Sequence, residues 1–216
     1  LVAGIVTVFG GGGDTTYRRR TVVGFLLALS GVIGVWGIAF FSFDLVREVL
    51  GKKLNADVAA GLLDAKLVPG MLTKWAGITS MVQNLGAFFG IYAYGVIAQR
   101  IGRKPAFALS LTAAMICTAG TFWFLRDFQH IFILVPVMGF ATLSVFGGYA
   151  IYFPELFPTR LRSTGTSFCY NIGRFVAAGG PAILGILTGV VYKDTAEPLR
   201  YAGITMCLVY LIGLAV

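Results

Sequence analysis

The chain has 216 residues, of which 57% are apolar and only 12% charged, and its mean hydropathy is strongly positive. Water-soluble domains carry charge on about a quarter of their residues, so this composition excludes an ordinary soluble globule and places the chain in a bilayer. The formal net charge of +8 does not point to nucleic acid, because the basic residues fall in short clusters between long apolar runs. Anionic lipid head groups fit that distribution better.

Leu1 to Phe9 is a short apolar run followed by Gly10 to Gly13. Such a run rises only about 14 Å as a helix, short of the roughly 30 Å hydrocarbon core, so residues 1–20 are expected to form a linker or cytoplasmic segment. After Arg18, Arg19 and Arg20 the sequence predicts membrane helices over Thr21–Phe43, Trp75–Ala98, Pro105–Leu125, Ile131–Phe153 and Ser163–Val191, with a sixth starting near Tyr201. The runs are continuous rather than alternating, which in lipid means helices, so the fold class is an all-α membrane protein. Residues 21–216 are expected to be a six-helix transmembrane unit with a truncated last helix. The chain reads as a fragment, since it also lacks an initiator methionine.

Parity puts Arg18–Arg20, the loop Gln99–Lys104 and the loop Pro154–Arg162 on one side. All three are short and basic, so that side is expected to be cytoplasmic. Eight Lys and Arg residues fall there and eight opposite, but most of the opposite ones are spread through one long connection, Asp44–Lys74. That connection is expected at the outer surface, with helix-forming composition in stretches such as Val58–Leu63. Small residues at four-residue spacing (Gly86 with Gly90, Gly185 with Gly189, Ser30 with Gly34) predict close helix packing. Gly179-Gly180-Pro181 predicts a weakened or kinked helix, either a static kink or a hinge.

Three cysteines, Cys117, Cys169 and Cys207, lie within apolar runs without paired spacing, and the lone His130 sits at the edge of one. They read as core and helix-end residues; no metal site and no cofactor are expected. No nucleophile with a base and no paired carboxylates occur at workable spacing, so an enzyme is not expected.

The stretch Gly95-Val96-Ile97-Ala98-Gln99-Arg100-Ile101-Gly102-Arg103-Lys104 resembles the loop signature of the major facilitator superfamily, with matches at Gly95, Arg100, Gly102, Arg103 and Lys104 and a departure at Gln99, where the signature has aspartate. Pro154-Glu155-Leu156-Phe157-Pro158-Thr159-Arg160-Leu161-Arg162 looks like the loop between the fourth and fifth helices of a half in the sugar-porter, organic-ion and sialate or aromatic-acid symporter branches. The resemblance implies the C-terminal six-helix half of a twelve-helix transporter, two inverted three-helix repeats working against a missing N-terminal half in a cell membrane. Glu155 lies within reach of Arg100 or Arg103. With Arg160 and Arg162 nearby, these residues are either a cytoplasmic latch or ordinary positive-inside charges.

Arg174 lies about 16 Å of helical rise beyond Ser163, near the bilayer midplane, where an arginine needs partners or a watery cavity. Ser167, Asn171 and Arg174 follow i, i+4, i+7 spacing with Tyr170 beside them, a polar stripe expected to face inward toward a central site. Gln83 and Asn84 of the second helix fall at similar depth and join the candidate site. Trp36 and Tyr149 are the aromatic candidates for lining the path. Arg174 contacts substrate, plays a structural part by capping broken backbone near Gly179 and Gly180 or pairing with an acid in the missing half, or supports proton coupling.

In organic-anion transporters an arginine at the matching place is linked to anionic substrates, so the resemblance implies a carboxylate cargo. A sugar or other neutral solute, or a transport-dead sensor of the same fold, stays open. No acid is expected in any helix interior, so a proton-binding carboxylate comes from the missing half or does not exist.

Overall fold

The computed structural model describes residues 15–216. The Leu1–Gly13 segment lies outside the described residues, as does the Arg18 side chain. Helix α1 (Thr15–Val32) starts inside the stretch expected as linker and carries the basic cluster in its first turns. It passes through a π-helical turn (Ile33–Ile38) and a short 3-10 turn (Ala39–Phe41) straight into α2 (Ser42–Ala59).

This path corrects the expected long loop at Asp44–Lys74. Leu45, Val46, Val49, Leu50 and Leu54 repeat at helical spacing and are buried, whereas Asp44 with Arg47 (3.5 Å) and Glu48 with Lys52 (2.8 Å) pair along the exposed side. The charges that suggested a loop are the solvated face of an amphipathic helix. The expected helical stretch Val58–Leu63 is instead a helix end. Gly61, at φ +74°, sits in the left-handed region, and the Gly61 and Leu62 amides donate to Val58 and Asp57 in the two-bond glycine cap. Acids therefore do occur inside a helix. Asp44, the first of them, lies about 37 Å of rise beyond Arg19, past the hydrocarbon core.

A turn capped by the Asp64 carboxylate on the Lys66 amide (2.9 Å) leads into α3 (Val68–Ile101), which breaks at Gly102, φ +87°. Then follow α4 (Arg103–Phe124), α5 (Ile131–Leu156), α6 (Arg162–Ala177), α7 (Gly180–Ile186, continued by a π-turn to Val191), α8 (Pro198–Met206) and α9 (Tyr210–Leu214). Five helical stretches among the described residues are long and apolar enough to cross a membrane: Arg19–Ala59, Ala65–Ile101, Arg103–Phe124, Phe128–Leu156 and Arg162–Val191. Pro198–Leu214 is a shorter apolar helix.

Glycines set the packing. On α3 and α5, a Cβ at Gly86, Gly90 or Gly139 would collide with the carbonyls of Pro136, Phe140 and Gln83 respectively, so the two backbones touch along several turns. Such contact is what holds membrane helices together when lipid supplies no hydrophobic drive between them. Ser30 and Gly34 of α1 meet Gly213 and Tyr210 of α9. Gly185 and Gly189 have open space around them and make no such contact.

At the end of the bundle opposite the short basic loops, Arg200 is 5% exposed and its guanidinium donates to the carbonyls of Phe122 (2.8 Å), Trp123 (3.2 Å) and Leu125 (2.7 Å), which close α4. Glu197 accepts from Arg200 (3.0 Å) and from Arg126 (3.2 Å). The last carbonyls of α4 have no partner within their own helix, and one planar fork satisfies three residues of them. Arg200→Leu is expected to cost about 3 kcal/mol, because buried acceptors lose their donors. Thermal melting of the detergent-solubilised full-length protein checks this. Arg200→Lys should recover only part of the loss.

Candidate functional site

Helix α6 has two opposed faces. Gly165, Cys169, Gly173 and Ala177 are buried; Cys169 and Gly173 bring the helix against α1, Cys169 reaching the Thr21 carbonyl (3.7 Å) and a Cβ at Gly173 sitting 3.3 Å from the Ala28 carbonyl, while Gly165 packs on the Phe157 ring. Small residues take this face because only they permit so close an approach. Ser167, Asn171, Arg174 and Phe175 are left on the exposed side. The polar stripe therefore faces away from the core of this six-helix unit.

Arg174 lies about 18 Å of rise from the start of α6. Its guanidinium carbon is 5.7 Å from the Trp36 ring centroid and 6.0 Å from that of Tyr170. These are cation–π distances, with the flat cation held between two aromatic groups. Among the described residues it has no ion pair and no side-chain hydrogen bond, and it does not cap the backbone at Gly179 or Gly180. Trp36, Arg174, Ala177, Ala178 and Pro181 enclose a cleft of about 210 Å³.

Backbone irregularity places these groups. Trp36 sits in the π-turn of α1, and the break between α6 and α7 falls at the Gly179-Gly180-Pro181 stretch where the sequence expects it. The two interruptions touch: a Cβ at Gly180 would come within 2.9 Å of the Gly37 Cα.

The remaining candidates are dispersed. Ser167 and Asn171 line a separate groove of about 580 Å³ with Ser163, Thr164, Phe168 and Phe175, and the Asn171 amide donates back to the Ser167 carbonyl (2.9 Å). Asn84 is exposed and bonds the Ser80 carbonyl (2.8 Å), while Gln83 is half-buried. Both are on α3, whose main partner is α5 rather than α6, so neither joins the Arg174 cleft. Tyr149 is 4% exposed; its hydroxyl donates to the Leu27 carbonyl (2.6 Å) and its ring stacks on Phe153 (4.6 Å). It packs α5 onto α1 and does not line the path.

At the other level, Arg103 grips Glu155 with two bonds, Nη2 to Oε1 at 2.8 Å and Nε to Oε2 at 3.3 Å. The turn at Gly102 starts α4 with Arg103 beside the end of α5, which selects Arg103 over Arg100. Arg100, Lys104, Arg160 and Arg162 are exposed and have no ion pair among the described residues. Gly95 faces open space.

Comparison with known proteins decides the family. Residues 20–189 match the sugar (and other) transporter family. The chain belongs to that family, a branch of the major facilitator superfamily. With its membrane-length helices it is a multi-pass membrane protein, and the family is one of transport proteins rather than enzymes. It is 31% identical over 143 residues to a protein of Haemophilus influenzae named for metabolite transport, an alignment covering 66% of this chain and 33% of the relative. It is 30% identical over 132 residues to a protein of Cupriavidus pinatubonensis named as a 4-methylmuconolactone transporter, covering 61% of this chain and 29% of the relative. It is 24% identical over 155 residues to the sialic acid transporter NanX of Escherichia coli K12, covering 71% and 38%. The matched chain thus spans about a third of the length of these relatives. No solved structure gives a significant match.

For this family member, Tyr149→Phe should lower thermal stability by about 1 kcal/mol, the worth of a buried hydrogen bond. It should leave solute uptake per folded molecule unchanged. Melting and uptake measured on one preparation of full-length protein check both parts.

Proposed function

We propose that the chain supplies one six-helix half, two inverted three-helix repeats, of a transporter that moves a small organic acid across a cell membrane by alternating access. Arg174 receives the carboxylate. The carrying observation is a mid-span guanidinium, exposed between Trp36 and Tyr170, with no anion of its own among the described residues. An arginine at that depth is costly unless a cavity or counter-ion compensates it. A carboxylate entering the cleft accepts two parallel N–H bonds from the fork. Relatives named for transport of a metabolite, a muconolactone and sialic acid support a small organic cargo.

The groove of Ser163, Thr164, Ser167 and Asn171 favours a second reading, a hydroxylated neutral solute held by hydrogen bonds. The two readings separate on one residue. Arg174→Ala should abolish uptake of carboxylates in proteoliposomes holding the full-length protein, and Arg174→Lys should restore only part of it, because an ammonium cannot bind a carboxylate bidentately. Equal carboxylate uptake by wild type and Arg174→Ala, with unchanged melting, sinks the assignment.

The acids among the described residues lie at helix ends or beyond hydrocarbon depth, so a proton-binding carboxylate within the membrane comes from the other half. The Arg103–Glu155 pair is the cytoplasmic latch. Exposed pairs add little to stability, so its effect is on the balance between inward-open and inward-closed states. Glu155→Gln should raise thiol-reagent labelling of cysteines placed in the inner vestibule and change the transport rate. No change in either measurement removes the latch.

A further inference from the structure

An unassigned cavity of about 680 Å³ lies at the end of the bundle that carries the Arg103–Glu155 pair. It is bounded by α1, α4, the last turns of α5, and α9. Arg19 and Arg20 from α1 and Lys104 from α4 stand at it. Among the described residues no Asp or Glu side chain lines it, and the nearest such acid by sequence, Glu155, is engaged by Arg103. Its deeper walls are apolar, including Val23, Leu27, Phe107 and Leu156. Neither Arg174 nor any residue of the Arg174 cleft takes part.

Three cations from two helices around an apolar body match one chemical class. We propose that this cavity binds an anionic phospholipid, its phosphate held by Arg19, Arg20 and Lys104 and its glycerol and upper acyl carbons against the apolar wall. A free phosphate ester would share the basic groups but leave that wall wet. An uncharged lipid would cover the wall without answering the charge. Basic pockets between membrane helices on the side of the short basic loops meet the leaflet where acidic lipids concentrate, and each nearby Lys or Arg strengthens attachment about fivefold. The site would tie α1, which carries Trp36, to α4, which carries Arg103.

The test uses full-length protein purified in neutral detergent, with native mass spectrometry reading retained lipid at graded phosphatidylglycerol or phosphatidylcholine. Wild type is expected to keep one phosphatidylglycerol in preference to phosphatidylcholine. Arg19→Gln with Lys104→Gln should weaken that retention by about tenfold or more. Ala108→Trp, which fills the exposed apolar wall and leaves every charge in place, should weaken it as well, so the proposal does not hang on one variant folding.

Lys66→Gln with Lys74→Gln removes equal charge at the far end of α3 and should change nothing. Equal loss in this control overturns the site in favour of diffuse attraction. Displacement by millimolar glycerol 3-phosphate overturns the lipid in favour of a soluble phosphate ester. Retention unaffected by either cavity variant overturns the proposal outright, the cavity then being closed by another part of the full-length chain.

Discussion

Direct backbone contact between α3 and α5 is the constraint from which the rest of the bundle follows. Apolar side chains gain nothing by leaving lipid for each other, so helices associate only where surfaces fit closely enough for dispersion to add up. Gly86, Gly90 and Gly139 remove every atom that would hold the axes apart, and the facing carbonyls take the vacated space. With α3 and α5 locked, α4 is fixed beside both, and the end of α5 brings Glu155 to Arg103. A similar close approach at Gly173 seats α6 on α1 and turns Ser167, Asn171 and Arg174 outward.

Most of the architecture was legible because membrane helices declare themselves by continuous apolar length. The five spans and the short sixth fall where hydropathy puts them, and the helix break lands at Gly179-Gly180-Pro181. The failures have a common cause. Asp44–Ala59 looks like part of a loop when its charges are counted along the chain and like an amphipathic helix when they are placed around one. Laid on a helical wheel, Leu45, Val46, Val49, Leu50 and Leu54 form one stripe.

At the site, residue type and depth located Arg174 and the i, i+4, i+7 stripe, but not contacts between helices. That Tyr149 turns inward to the Leu27 carbonyl depends on how α5 is rotated against α1, which no local pattern encodes. Trp36 reaches Arg174 because of a π-turn, and π-turns carry no sequence signature as clear as a proline. For the clasp at Arg200, the sequence shows Glu197 and Arg200 one helical turn apart and a basic Arg126 in the chain's other outer loop. The residues were visible; that Arg200 meets the end of α4 was not.

The irregular backbone bears most directly on function. In hydrocarbon an unpaired amide or carbonyl is costly, so departures from α-helix persist where protein or a water-filled cavity surrounds them. Departures from regular α-helix occur at Ile33–Phe41 after α1, at Gly179 between α6 and α7, at Leu187–Val191 and at Cys207–Val209. The first two meet at Gly37 and Gly180, and Arg174, Trp36 and Pro181 line one cleft beside that meeting point. The break at Gly179 has a local cause in Gly179-Gly180-Pro181, whereas the π-turn at Ile33–Ile38 has no sequence signature as clear. Their meeting beside a guanidinium that has no ion pair among the described residues supports the proposed solute site, because a water-filled cavity there would serve both the arginine and the loosened backbone.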